Sequence, residues 1–438
     1  MYICTLIKNI LIFNLNALEN IITNPEQKTP KKRFLQFPWG YKEGFILAGA
    51  ILLIGIILEL VSQGGVKFKL QYPTNIIILL VLINIIFLLH AYAKNNSFIR
   101  WLSTVPAAIS AISLLVFLVL LMGFIPQEDS KAYGFIKSMG FSHITSSIPF
   151  ILSQFYLFIS LGLVTIRRAT PLKGKNIGFL LNHAGLWITL AAAGLGSGDM
   201  LRLHMDLSET NAEPTFIAKS NDNSKEYRLR IALKLIDFKM EEYPPKMGIV
   251  DNATGELMYK KGDNLVEISK GMHKIIGEWN IYVKEFYADA GMNDSIYIPI
   301  NQVGASPAAF VEVKNIKNGK LIKGWISAGS FLLPYKGLKL DDKISLGMAS
   351  PEPKKFSSEI EYLTEDGKTG KTIIEVNKPF KLKGWKIYQT GYKEEFGKWS
   401  PYSTLELVQD RWLPVVYFGL FLIMAGAAYI FWMGRKQN

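Results

Sequence analysis

Six apolar stretches, near Gly44–Val61, Asn75–Ala93, Val105–Phe124, Ser147–Thr165, Ile177–Leu195 and Trp412–Gly434, constrain this chain more than any other feature. Each is about 20 residues long, and at about 1.5 Å per residue such a helix covers the roughly 30 Å hydrocarbon core of a bilayer. In hydrocarbon every backbone N–H and C=O must be satisfied within its own segment, so the stretches are predicted to be transmembrane helices. Composition agrees, with 49% of the 438 residues hydrophobic and only 19% charged. The last stretch is bracketed by Trp412 and Trp432, about 30 Å apart along a helix, the separation of two interfacial aromatic belts. The first 24 residues are also apolar, but Asn9, Asn14, Asn16, Glu19 and Asn20 interrupt them. An interfacial amphipathic helix is expected there, with no cleavable signal.

Lys and Arg near span ends stay on the cytoplasmic side, and they decide orientation. Lys28, Lys31, Lys32, Arg33 and Lys42 precede span one, Lys94 and Arg100 follow span two, Arg167, Arg168, Lys173 and Lys175 follow span four, and Arg435 and Lys436 close the chain. All fall on one side. The expected division is therefore a cytoplasmic segment (1–43), a five-helix region (44–195), an extracytoplasmic segment (196–411), a sixth helix (412–434) and a cytoplasmic tail (435–438). Much of the net charge of +13 is thus topological, and the rest is scattered through the extracytoplasmic segment without a compact basic run. Lipid is the expected surrounding, and nucleic acid is not an expected partner.

Residues 196–411 alternate with period two in several places. Leu229, Ile231, Leu233 and Leu235 alternate with Arg228, Arg230, Ala232 and Lys234, and Asn318-Gly319 and Asp366-Gly367 stand where hairpin turns belong. The expected fold is a polytopic α-helical membrane protein of about six spans, with a large β-rich, sandwich-like domain between spans five and six.

One cysteine, Cys4, excludes an intramolecular disulfide framework, a Cys-x-x-Cys redox centre and covalent haem attachment through Cys-x-x-Cys-His. No phosphate loop, Gly-x-Ser-x-Gly elbow, His-Glu-x-x-His or dinucleotide fingerprint occurs, so no self-contained catalytic site is expected.

Four of the five histidines sort by depth. His90 in span two and His183 in span five lie at depths within about 5 Å of each other. Two neutral imidazoles at matched depth could supply both axial ligands to the iron of a b-type haem, with Trp187, one turn beyond His183, packed on the porphyrin. Intramembrane ionisable residues invite a functional reading; the alternative is that each imidazole hydrogen-bonds a neighbouring helix. His143 and His204 lie towards the outer surface and form a second candidate pair, with Arg202 available to a haem propionate. Ordinary surface histidines are the competing reading. His273 has no evident partner.

Val376–Ala427 then carries a family signal. Asn377, Pro379, Gly384, Tyr388, Gln389, Tyr392 and Asp410 before the last span, and Pro414, Tyr417 and Gly419 within it, resemble the end of the ResB/CcsB family of cytochrome c biogenesis proteins. Span five, with NHAGLWITLAAAGLGSGDM, is similar to the helix leading into that family's external domain. The resemblance implies a bacterial cytoplasmic-membrane subunit of system II cytochrome c maturation. Such a subunit conveys haem b and holds apocytochrome c for covalent attachment, jointly with a CcsA-like membrane partner. It also implies that His183 pairs with a histidine of that partner, leaving His90 as an internal alternative or a structural residue. Five spans precede the domain, more than the family commonly has, and the tryptophan-rich haem-handling segment of CcsA is absent, so that partner is expected to be a separate chain. A b-type haem electron-transfer subunit of a respiratory complex is the alternative function.

Overall fold

The computed structural model describes residues 35–62, 70–128, 133–221, 225–258 and 265–434. The amphipathic helix expected in the first 24 residues lies outside them. The chain divides into a helix unit, Met1–Asp199 with Arg411–Asn438, and a β unit, Met200–Asp410.

The helices of the first unit are α1 (Tyr41–Val61), α2 (Thr74–Ala93), α3 (Ser97–Leu102), α4 (Val105–Phe124), α5 (Gly134–Ser138), α6 (Ile148–Ala169), α7 (Ile177–Gly196) and α8 (Leu413–Gly434). Six are long and apolar enough to cross a membrane, at the positions expected from hydropathy. Helix α6 is central: 50% of its apolar window is buried, against 11 to 28% for the other five. Its polar residues explain why it can be. Tyr156 Oη lies 2.8 Å from Ser110 Oγ of α4, and Ser160 Oγ donates to the Leu102 carbonyl of α3 at 2.8 Å. Interhelical hydrogen bonds of this kind hold helices together where lipid offers no hydrophobic drive. Helices α7 and α8 meet on glycine, since a Cβ on Gly185 would stand 2.6 Å from the Gly419 carbonyl oxygen and one on Gly426 2.7 Å from the Asn182 nitrogen. The backbones touch directly there.

The strands of the β unit begin with β1 (Leu201–Ser208), β2 (Thr215–Ser220), β3 (Glu226–Glu242), β4 (Lys246–Asp251), β5 (Val266–Glu267), β6 (His273–Ile276), β7 (Trp279–Asn293), β8 (Ile296–Pro299) and β9 (Ser306–Asn315). They continue with β10 (Leu321–Ser327), β11 (Leu338–Lys339), β12 (Ile344–Met348), β13 (Pro353–Thr364), β14 (Thr369–Glu375), β15 (Phe380–Leu382), β16 (Trp385–Tyr392) and β17 (Tyr402–Gln409). An antiparallel eight-stranded sheet has the order β14-β13-β3-β2-β1-β17-β16-β15. Its alternating apolar face, with Leu203, Met205, Leu233, Leu235 and Leu405, points into one core that also receives Ile374 of β14 and Ile387 of β16. Strands near both sheet ends therefore share one interior, and the sheet is nearly closed on itself.

The five-stranded sheet (β10-β9-β7-β6, with β8 on β7) and the four-stranded sheet (β11-β12-β4-β5) form the sandwich part of the unit. Ile281, Val283, Val311 and Val313 from the first pack with Ile249, Leu346 and Met348 from the second. The two turns expected from sequence are present: Gly319 (φ 68°) turns the chain between β9 and β10, and Gly367 (φ 79°) between β13 and β14. Only glycine takes these angles without strain.

Candidate functional site

The C-terminal end of α6 carries two adjacent arginines, and a helix turns about 100° between neighbours, so they diverge to different flanks. Arg167 turns to α2, where it donates to the Lys94 carbonyl at 2.7 Å. Arg168 turns to α7, where its guanidinium lies over the Phe179 ring, 5.1 Å from the centroid. His90 stands on the first flank and His183 on the second.

The hydrogen bonds of the two imidazoles fix different tautomers. His183 Nδ1 lies 3.0 Å from the Phe179 carbonyl oxygen, which can only accept, so Nδ1 carries the proton and Nε2 keeps a lone pair. The ring stacks on Phe179 at 3.7 Å between centroids, which holds its orientation. An imidazole anchored through Nδ1–H with Nε2 open is the state in which histidine ligates a metal. His90 is the reverse. Thr170 Oγ1 gives its one proton to the Ile166 carbonyl at 2.9 Å, so His90 Nε2, 3.1 Å away, must donate to Thr170. That leaves His90 Nδ1 bare, buried and without a hydrogen-bond partner. The residues thus fit an axial haem ligand at His183, while His90 is tied to the loop after α6, and no contact joins the two among the described residues.

Trp187 faces α6, donating Nε1–H to the Phe158 carbonyl at 3.2 Å and meeting the Phe158 ring edge-on. It braces α7 against the central helix. Arg202 and His204 sit on β1, whose alternation sends Leu203 and Met205 inward and these two to the outer face of the closed sheet. His204 pairs in register with Glu406 of β17 and Lys219 of β2, and its Nδ1 is buried without a partner. Arg202 lies 3.8 Å from Glu406, and at 53% side-chain exposure that ion pair is weak. His143 belongs to the helix unit, where Nε2 donates to Glu59 Oε1 at 3.0 Å. His273 stacks on Tyr282 at 4.3 Å on the surface of β6.

Two polar sites escaped the sequence reading. Glu59, fully buried near the end of α1, accepts from His143 and, through Oε2, from the Ile148 backbone N–H at 2.8 Å. Asp199, just after α7, accepts from the Tyr72 N–H at 2.7 Å, from Asn75 Nδ2 at 2.7 Å and from Trp412 Nε1 at 2.8 Å. A carboxylate in a predicted span was a visible signal at Glu59; its partner, 84 residues away, was not.

The β unit holds a cavity of about 440 Å³ against the turn Glu394–Trp399, lined by Phe331, Phe396 and Trp399 and by Glu242, Glu394 and Glu395. Lys398 stands in it, paired with Asp289 and 3.6 Å from Glu242. Burial pushes the Glu242 carboxyl above its ordinary range, and Lys398 opposes that shift. The residues quoted from the C-terminal motif are mostly architectural. Asn377 (φ 64°) and Gly384 (φ 82°) take left-handed turn conformations, and Gln389 is buried with its Oε1 2.6 Å from Ser358 Oγ and 3.1 Å from Ser403 Oγ.

A family model described as the ResB-like family matches residues 173–400, just over half of the chain, from the loop before α7 to the end of the Glu394–Trp399 turn. It takes in His183, Trp187, Arg202 and His204 and stops within the Val376–Ala427 stretch. No curated protein matches the chain.

Proposed function

The chain belongs to the ResB-like family, and from that premise we propose that it is the ResB-like subunit of a system II cytochrome c maturation complex, working with a separate CcsA-like membrane protein. Membership supports a cytochrome c biogenesis-type function in general. The finer reading takes haem as cargo. His183 would offer Nε2 to the haem iron as one axial ligand, with the other supplied by the partner, because the nitrogen that His90 leaves free, Nδ1, is buried within the helix unit. Trp187 positions α7 on α6 and so fixes where His183 stands.

The positive-inside rule puts the end bearing Lys42, Lys94, Arg100, Arg167, Arg168, Lys173 and Lys175 in the cytoplasm and the β unit outside, in a bacterial cytoplasmic membrane. The β unit would then hold apocytochrome c, and the aromatic and acidic cavity at Trp399 is suited to a chain segment carrying lysine. Haem attachment would be the joint work of the complex, since this chain has no thiol pair or catalytic motif of its own.

The single observation that carries the reading is the family match over α7 and the β unit. Deleting the gene and staining total protein for covalent haem tests it: c-type cytochromes should disappear, and their persistence would end the proposal. Co-purifying the complex and recording its reduced absorption spectrum tests the ligand. The haem bands should fall or shift in His183→Ala and stay in His90→Ala.

A further inference from the structure

Where α2, α3 and α6 meet, the helix unit gathers positive charge that no described residue balances. Lys94, Arg100, Arg167 and Arg168 all lie at this end, and among the described residues none has a carboxylate within ion-pair distance. Arg100 is near enough to Arg167 to repel it, and Lys94 and Arg167 both bear on His90. Like charges crowded at the edge of an apolar slab favour a counter-charge, because each loses hydration there.

The hydrogen bonds point the same way. Arg167 gives one terminal nitrogen to the Lys94 carbonyl, but its Nε–H is buried and has no partner. Trp101 of α3, only 4% exposed, has a second buried N–H with none. A buried donor left unmade is expensive, so the unpaired Nε–H of Arg167, itself one of the uncompensated cations, fits an acceptor that comes from outside the chain. A guanidinium flanked by a second cation suits a phosphate oxygen well.

The surroundings indicate what carries that phosphate. Leu88 and Tyr92 on α2 are 49% and 86% exposed, and Val105 and Ile109 in the first turns of α4 are 63% and 39% exposed. Apolar surface therefore runs down from the cations along helices long enough to cross a membrane. A soluble anion would leave that surface unused; a phospholipid would cover it with acyl chains.

We propose that this corner is a binding site for an acidic phospholipid, with its headgroup phosphate on Arg167, Arg100 and Lys94 and its chains along α2 and α4. The site braces the α2–α3–α6 corner beside His90. It is independent of the cytochrome reading, because it needs only the membrane helices and the unpaired donors.

The test uses the full chain purified in detergent, delipidated, and challenged with mixed micelles of phosphatidylglycerol or phosphatidylcholine, or with inorganic phosphate. Retained lipid is read by native mass spectrometry and the thermal midpoint is followed in parallel. Phosphatidylglycerol should bind about tenfold more tightly than phosphatidylcholine at low salt, the preference should shrink as salt screens it, and inorganic phosphate should leave the midpoint unchanged. R167Q should lose the preference, with its midpoint in phosphatidylcholine lowered only by the lost bond to the Lys94 carbonyl, and R167K should keep part of it. If R167Q does not fold, R100Q carries the same expectation. Equal binding of the two lipids, or a preference that survives both variants, overturns the proposal. Stabilisation of the wild type by inorganic phosphate equal to that by phosphatidylglycerol also overturns it, by assigning the corner to a soluble anion.

Discussion

Trp412 donates its indole N–H to Asp199 Oδ2 at 2.8 Å. Asp199 ends the segment that follows α7 and Trp412 directly precedes α8, so this bond joins the point where the chain leaves the helix unit to the point where it returns. Asp199 also accepts from the Tyr72 N–H and from the fully buried Asn75, which ties α2 to the same spot. Asp199→Ala removes three hydrogen bonds and is expected to destabilise the helix unit by about 3 kcal/mol. Trp412→Phe keeps the ring against Gly196 and loses one bond, for about 1 kcal/mol. Thermal denaturation of the full chain in detergent checks both; equal effects would contradict the shared role of Asp199.

The glycine seam between α7 and α8 makes a sharper contrast. A Cβ on Gly185 meets the Gly419 carbonyl at 2.6 Å, backbone against backbone, whereas a Cβ on Gly49 of α1 meets nothing within 4 Å. Gly185→Ala should therefore cost roughly 1–3 kcal/mol by forcing the helices apart. Gly49→Ala should be neutral or stabilising by up to about 1 kcal/mol, since alanine favours the helix. Denaturation midpoints of the two variants in one detergent decide it, and a Gly185→Ala protein as stable as wild type would show that α7 and α8 are not closely packed.

Inside the nearly closed sheet, Gln389 is 4% exposed and its Oε1 is reached by the hydroxyls of Ser358 and Ser403, while its Nε2 donates to the Gly391 carbonyl at 2.9 Å. Replacing it with leucine strands the Gly391 carbonyl and one of the two buried hydroxyl protons, since Ser358 can still donate to Ser403 at 2.7 Å, at a cost of about 2–4 kcal/mol. Adding Ser358→Ala and Ser403→Ala should recover part of that loss, because the orphaned groups are then gone. Hydrogen exchange of β16 and β17 in the intact protein is the readout, with faster exchange expected in the single variant and partial restoration in the triple.

On the same sheet Glu375 is hydrogen-bonded by Lys355 at 2.8 Å and paired with Lys378 at 2.7 Å, which together hold its carboxyl down to about 2 from an ordinary 4.5. A carboxyl lowered in the folded state contributes stability that is fully present above 4.5 and is lost as pH falls through about 2. Comparing the unfolding midpoint of wild type with Glu375→Gln from pH 6 to pH 2 should give a small constant difference at the upper end that vanishes at the lower. Glu375 is partly buried but both lysines are exposed, so screening by salt should reduce the difference throughout. A gap that widened on acidification would refute the assignment.

These sites differ in how far the sequence could announce them. The spans, the turns at Gly319 and Gly367, and the inward face of β3 follow from local periodicity, and they stand where periodicity puts them. The closed sheet does not, because β1 pairs with β17 across some two hundred residues and no local pattern encodes that register. The histidines show the same limit at one position each. Depth along a helix is legible at 1.5 Å per residue, and it brought His90 and His183 to the same level. Which flank of α6 each occupies depends on where Thr170 and Phe179 stand, and that is set by packing.

Glu59 is the plainest case of a residue whose consequence is visible only in three dimensions. It is fully buried in α1, and its carboxylate is shared between His143 and the N-terminal backbone of α6, with Gly140 pressed against it at φ 80°. A Cβ on Gly140 would stand 2.9 Å from the Glu59 carboxyl carbon, so the loop can pass only as glycine. Glu59→Ala removes the acceptor for both donors and opens a cavity, and the expected loss is about 3–5 kcal/mol. Glu59→Gln keeps an oxygen for the Ile148 N–H and an amide for the imidazole, so it should lose less than half as much. Adding His143→Ala to Glu59→Ala should cost little more than the first change alone, because the two side chains serve one contact. Denaturation midpoints of the single and double variants give the coupling directly. If the two costs simply add, the carboxylate and the imidazole act separately, and the clasp between α1 and the start of α6 is not the reason a carboxylate survives in this helix.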